Sequence, residues 1–215
     1  MRSILVFAAL LVALPLSAQG RPVIGVGISA GSMGIGVDGA IQLLPRIGVR
    51  ARLAMMPYEP TFTVDDVEYD MQLPTPQMGL FADVFLVGPL RLTGGLRYSA
   101  KDLSATGVIP GVVTIGDSTY TGAQIGNFTG AIVTKKLAPY IGIGLGRVAG
   151  RGIGFFLDAG VAFHGVPQVT FAASGPIASQ AAFQTELAQE QNAANAEIAD
   201  FKYYPVIALG LRFGF

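Results

Sequence analysis

The sequence predicts an all-β fold: an eight-stranded antiparallel transmembrane β-barrel with long extracellular loops and one short amphipathic helix. The first observation behind this prediction is composition. The 215 residues are 51% hydrophobic and only 13% charged, about half the charged fraction of an ordinary soluble domain. The second is an alternation of apolar with small or polar residues in segments of about ten, which is typical of membrane barrel strands. The third is an N-terminal export leader.

Residues 1–18 have the layout of a secretory signal peptide. Arg2 precedes an apolar run from Ile4 to Leu16, and Ala18 supplies the small residue before the cut. We predict cleavage after Ala18, which leaves residues 19–215 as a single barrel domain. An uncleaved anchor is less favoured, because the run is shorter than the ~20 residues that a spanning helix needs.

The alternation defines eight strands. In order, they are residues 22–31, 33–44, 47–57, 76–87, 90–99, 138–149, 153–164 and 203–215. The first two could instead be one bulged strand over 22–44, which would make the strand count odd. The seventh could continue to Phe171 despite Pro167. Glycine is frequent in these segments, and it costs less in a closed barrel in lipid, where every backbone group is paired, than in a soluble sheet.

The connections between these strands sort by length. Short turns at 45–46, 88–89 and 150–152 contrast with long connections at 58–75, 100–137 and 174–202. With eight strands, all the short turns fall on the periplasmic side and all the long connections fall outside, as in bacterial barrels. Within the last connection, residues 177–200 predict a helix with Phe183 and Leu187 on one face. We expect it to fold against the barrel rim or into its mouth.

The last strand ends on Phe215, in the same outward row as the other large apolar residues of that strand. Aromatic residues are enriched where a barrel meets the membrane interface. An apolar alternating strand that ends in Phe also resembles the C-terminal signal read by the outer-membrane barrel assembly machinery. We therefore predict that Phe215 is an assembly signal.

Four segments carry a wider resemblance: "GPLRLTGGLRY", "APYIGIGLG", "GFFLDAGVAFHGVPQVTFAASG" and "YYPVIALGLRFGF". They resemble small Gram-negative outer-membrane barrels of the CarO type, near the OmpW/OmpA-like eight-stranded group. The resemblance covers roughly residues 22–215. It implies a location in the bacterial outer membrane, with lipid and the assembly machinery as partners, and uptake of a small polar solute such as ornithine.

The alternation points eight charged side chains into the barrel. These lumen charges are Asp38, Arg50, Arg52, Asp83, Arg91, Arg97, Asp158 and Arg212. An eight-stranded barrel is just wide enough for side chains to fill it, so a salt-bridge network that closes the barrel is the first interpretation. The alternative is a narrow solute path whose arginines attract anions, since their excess disfavours a cationic solute. We expect Arg91 and Arg97 to pair at opposite ends, with Asp83 and Asp158 as partners.

The remaining motifs carry little chemistry. "GIGVDG", residues 34–39, matches the dinucleotide fingerprint, but that motif must open a helix and here the strand alternation continues. His164, the only histidine, lacks the His-x-Ser pattern of lipid A deacylases and is expected to hydrogen-bond in the lumen. We therefore predict no catalytic, cofactor or metal site and no enzyme. The balanced charge gives no indication of nucleic-acid binding.

Two functions remain open from the sequence. The first is a narrow channel or uptake porin for small polar solutes. The alternative is a non-conducting structural or surface-interaction protein of the outer membrane.

Overall fold

A computed structural model describes residues 23–64, 67–147 and 149–215; the predicted leader lies outside the described residues. In chain order they form β1 (Val23–Gly31), β2 (Gly34–Leu44), β3 (Ile47–Met55), β4 (Thr61–Val64), β5 (Val67–Gln72), β6 (Gln77–Val87), β7 (Leu90–Ser99), β8 (Leu103–Val108), β9 (Val112–Ile115), β10 (Ser118–Thr121), α1 (Gly122–Ile125), β11 (Asn127–Val133), β12 (Leu137–Leu145), β13 (Gly152–Phe163), β14 (Gln168–Ala173), α2 (Ala181–Ile198) and β15 (Tyr203–Gly214).

Eight of these strands close into a barrel in the order β1-β15-β13-β12-β7-β6-β3-β2, and all neighbouring pairs are antiparallel. They are the eight strands that the alternation predicts. β1 and β2 pair as a hairpin from Val23 opposite Gln42 to Gly31 opposite Gly34. Residues 22–44 are therefore two strands, and the strand count is even.

The outward rows of the barrel strands form an exposed apolar surface. Its members include Ile24, Val26, Ile28, Ile35, Leu80, Ile143, Phe155, Leu209 and Phe213. A soluble protein rarely exposes a contiguous apolar surface of this kind, whereas a membrane barrel presents an outward-facing apolar band to lipid. Among the described helices, none is long and apolar enough to cross a membrane.

Two residues near the barrel ends depart from the predicted pattern. Met33, the first residue of the predicted second strand, lies in the β1–β2 turn and is only 2% exposed, because the strand alternation does not extend through a turn. The strand predicted over 138–149 ends at Leu145, because the chain turns at Gly146 with φ +90, a backbone region that favours glycine. The connection that follows folds back into the barrel mouth, where Ala149 is buried.

The long connections are not irregular loops, as the sequence analysis expected for 58–75 and 100–137. β9 and β10 form a separate pair, and the other four strands of these connections join β14 in a five-stranded sheet in the order β14-β11-β8-β5-β4. Its first four strands adjoin β13, β12, β7 and β6 in the sequence and stand in the same order as those barrel strands. Backbone hydrogen bonds such as Ser99 N to Lys136 O, at 2.8 Å, continue the pairing across the interruptions. The sheet therefore extends one side of the barrel wall beyond the barrel.

β14 is a separate strand rather than a continuation of the seventh barrel strand to Phe171. The chain leaves β13 at Phe163 and turns through Gly165, whose φ is +76. We call the end of the barrel that carries this sheet the long-loop end. The opposite end, with the connections 45–46, 88–89 and 146–151, is the short-turn end.

Helix α2 confirms the predicted helix but not its expected position. Phe183 and Leu187 are buried as predicted, and the helix packs mainly against β14 and β9, two strands outside the barrel. Together with Ile109, Ile125 and Ile177 they form a hydrophobic cluster of the extra-barrel part. This part of the chain therefore has a small core of its own.

Candidate functional site

The inward side chains of the barrel are placed by strand register. Asp38 on β2 lies directly opposite Arg52 on β3, and Asp83 on β6 lies opposite Thr93 on β7. Adjacent strands are about 4.8 Å apart, so opposed side chains of this length reach one another. The alternation predicted from the sequence thus converges on one charged cluster at the middle of the barrel.

Six of the eight predicted lumen charges form a single ion-pair network. Its members are Asp38, Arg50, Arg52, Asp83, Arg91 and Asp158. Arg50 contacts Asp158 at 2.5 Å and Asp83 at 3.3 Å. Arg52 contacts Asp38 at 2.7 Å and Asp158 at 3.2 Å. Three guanidinium groups face three carboxylates, so the formal charges of the network cancel.

Arg91 completes the network from the short-turn side. Its Nε lies 3.2 Å from Oδ1 of Asp83, and its Nη2 donates to Asp158. Its Nη1 donates to the backbone oxygens of Leu145, at 3.2 Å, and of Gly146. The donors of this buried guanidinium are therefore satisfied by two carboxylates and by the end of β12.

Two hydroxyl groups that the predicted site did not include support the carboxylates. Thr93 Oγ1 donates to Asp83 at 2.6 Å, and Ser29 Oγ donates to Asp38 at 2.5 Å. Both residues alternate in phase with the lumen charges, so the inward phase of their strands was the signal that could have identified them. Their hydroxyls take carboxylate lone pairs that the arginines leave open, as stable burial of a charge requires.

Aromatic side chains surround the network within the barrel. The Arg50 guanidinium carbon lies 5.0 Å from the Phe81 ring centroid and 5.8 Å from that of Phe156. The Phe81 ring meets Tyr140 edge to face at 5.1 Å. Toward the short-turn end, Phe85 packs with other buried residues. The interior is thus packed above and below the charges.

The other two predicted lumen charges lie outside the network. Arg97 donates from Nε to Oε1 of Gln77 at 3.1 Å, and its guanidinium stands 4.6 Å from the ring centroid of Tyr204. Arg212 donates to the backbone oxygen of Gly150 at 2.8 Å, at the short-turn end.

The expected partners of Arg97 are therefore wrong. Asp83 and Asp158 both pair with Arg91. Among the described residues no carboxylate lies within 4.0 Å of Arg97. The reason is position: Arg97 stands near the long-loop end of β7, whereas both carboxylates lie deeper in the barrel. Arg91 and Arg97 do stand at opposite ends of their strand, as expected.

The remaining sequence motifs are placed as follows. Residues 34–39 lie in β2, which continues as strand to Leu44, so no helix follows the glycine motif. Phe215 donates its backbone N–H to Ile24 at 3.0 Å, and its exposed ring packs edge to face on Phe213 at 5.0 Å. Its position is that of an interfacial aromatic, while its role in assembly stays a prediction. The described residues contain no cluster of His, Cys, Asp or Glu suited to a metal ion.

Two crystal structures from Acinetobacter baumannii share this fold. CarO2 aligns with a TM-score of 0.58 and 19% identity, covering 91% of this chain and 100% of that chain. CarO aligns with a TM-score of 0.54 and 19% identity, covering 89% and 97%. No protein-family model and no curated protein matches the sequence. The likeness confirms the predicted CarO-type eight-stranded fold, while the solute uptake implied by the sequence resemblance stays a prediction.

Proposed function

We propose that this chain is an outer-membrane protein whose barrel is closed to solutes and whose function lies in the folded part that it displays outside the cell. The observation that supports this proposal most directly is the burial of the ion-pair network. Water in a continuous path through the barrel would touch the charged side chains that line it. Instead, Arg91 and Asp83 are 0% exposed and Asp158 is 2% exposed.

Opening a path through the network would separate its charges. Each carboxylate contacts at least two arginines. Moving one side chain therefore leaves several buried groups without an ion-pair partner. Removing one partner of a buried ion pair costs about 3–5 kcal/mol. A solute that entered would have to replace these contacts as well as displace the surrounding aromatic rings. The closed barrel is therefore the favoured state.

The extra-barrel part is built as a stable folded unit. Asn195 of α2 accepts the Val169 N–H at 2.6 Å and donates to Val169 O at 3.3 Å, and Gln191 accepts the Phe171 N–H at 3.1 Å. These side chains occupy backbone groups at the outer edge of β14, which would otherwise be open to pairing with other chains. A helix that seals a sheet edge supports a structured surface rather than a set of mobile loops.

Charge also distinguishes the extracellular part. The connections 58–75, 100–137 and 174–202 contain eleven carboxylate side chains and four lysines. An acidic surface of this kind attracts cationic partners and repels anionic ones. Interaction at the cell surface with cationic groups is therefore the activity that the displayed unit supports.

A planar-bilayer measurement tests the closed barrel. We expect refolded wild-type protein to show no stepwise conductance. The matched control is the double variant Arg91→Ala/Asp83→Ala, which removes one charge of each sign and leaves a void in the network; we expect it to conduct. Reproducible single-channel steps from the wild type would refute the proposal and favour the predicted narrow channel for small polar solutes.

A further inference from the structure

Arg97 is a buried cation with no carboxylate within 4.0 Å in the described part of the chain. Its side chain is 7% exposed, and among the described residues its hydrogen-bond partner is the neutral Gln77, reached from Nε and Nη2. The Tyr204 ring, whose centroid lies 4.6 Å from the guanidinium carbon, adds a cation–π contact. A neutral amide and a ring face do not neutralise a charge that burial has removed from water.

Two neighbouring polar atoms are also buried without a partner, Gln77 Nε2 and His164 Nδ1. Arg97 can only donate, so its contact holds the Gln77 oxygen toward itself and leaves the Nε2 donor unused. Gln77 is 0% exposed and His164 is 9% exposed. Buried polar atoms without a hydrogen-bond partner are uncommon in folded proteins, and a bound water or ion is one explanation for them.

Arg97 and His164 lie at the same end of the barrel. Arg97 on β7 lies opposite Ala138 on β12. Just after the end of β13, the backbone oxygen of His164 accepts the N–H of Lys135, two residues before the start of β12, at 3.3 Å. Burial and the positive charge of Arg97 lower the pKa of His164, consistent with this closeness.

We propose that Arg97, Gln77 and His164 form a binding site for one small carboxylate anion at the long-loop end of the barrel. A carboxylate has two acceptor oxygens, which suit the unused Arg97 Nη1 and the Gln77 Nε2 donor. Its single negative charge matches the single uncompensated guanidinium. Water could satisfy the amide, but it would leave the charge uncompensated. The site lies outside the central network, so its occupation does not require the barrel to open.

The probe is sodium acetate, titrated into the folded wild-type protein in detergent at low salt. Thermal unfolding is followed by the mobility difference between folded and unfolded barrel on gels. We expect a saturable rise in Tm, on the order of 5 °C at a hundred times the Kd.

Three variants separate anion binding from general salt effects. Gln77→Glu places a carboxylate against Arg97, so we expect a higher Tm without acetate and no further rise with it. Arg97→Met removes the charge and should abolish the rise. Lys202→Met, which removes a positive charge from a partly exposed side chain at the same end, should keep it. If Arg97→Met does not fold, Gln77→Glu carries the test. Equal acetate responses in the wild type and Gln77→Glu would overturn the proposal.

Discussion

Replacing Arg91 with alanine should destabilise the folded barrel more than replacing Arg97 or Arg212, the two lumen arginines that lie outside the ion-pair network. The guanidinium donates to Asp83 and Asp158 and to two carbonyl groups at the end of β12. Its loss leaves three carboxylates facing two arginines, all of them buried. Breaking a buried pair in this way costs about 3–5 kcal/mol.

Arg97→Ala is the matched comparison on the same strand and face. It leaves no carboxylate without a partner. It removes the donor from one amide oxygen of Gln77, which lowers the free energy of unfolding by about 1–3 kcal/mol. The two substitutions remove the same atoms from the same strand. The difference between them, about 2 kcal/mol from these two ranges, therefore reports the buried carboxylates and carbonyl groups that Arg91 satisfies and Arg97 does not.

Urea unfolding of the refolded proteins in lipid vesicles measures this difference. At slopes of about 1–3 kcal/mol per molar urea, Arg91→Ala should lower the midpoint by about 1–5 M, and Arg97→Ala by less. Arg91→Ala/Asp83→Ala restores the charge balance and should lose less than the sum of its single variants. An Arg91→Ala midpoint equal to that of the wild type would refute the buried network, because water would then already solvate these charges.

Two further predictions concern the last residue and one inward glycine, Gly144. Deleting Phe215 removes its hydrogen bond to β1 and its interfacial ring, so we expect reduced outer-membrane levels; normal levels with heat-modifiable mobility would contradict its role in assembly. Gly144→Ala should cost about 1–3 kcal/mol by overpacking, because its new methyl group would lie 2.5 Å from the Arg91 guanidinium carbon. Gly94→Ala, whose methyl group would meet nothing within 4 Å, is the control in the same urea assay and should be nearly neutral.

The barrel could be predicted from the sequence because lipid imposes a regular pattern. Every lipid-facing position of a barrel strand must be apolar, so the alternation survives wherever the chain crosses the membrane. In the structure, the six charges of the network are buried on this inward phase. The phase does not give the position of a side chain along the barrel axis. Arg97 and Arg91 share a face, and only the register between paired strands shows that Asp83 and Asp158 lie at the same height as Arg91.

The five-stranded sheet was not predicted, because the regular alternation of the barrel strands is absent from its sequence. Outside the membrane no solvent imposes an apolar row, and β8 and β11 mix Thr, Ser and Gly with aliphatic residues in no fixed phase. Their pairing follows from continuation of the barrel wall, which is a property of topology. Helix α2 was predictable from its apolar spacing. Its position was not, because it covers the edge strand of a sheet that the sequence did not predict.

The glycines of the barrel are not only tolerated in a lipid-embedded sheet; several of them are required by the packing of the interior. Large inward side chains lie against glycines on neighbouring strands: Arg91 against Gly144, the Tyr140 hydroxyl against Gly160, and the Phe156 ring against Gly210. Any Cβ at these glycines would overlap the side chain that fills the space. In strands such as "YIGIGLG", the outward residues are therefore apolar, and the inward glycines leave space for large side chains of the neighbouring strands. A pattern that leaves room for guanidinium groups and rings, rather than for water, is what a packed and closed barrel interior requires.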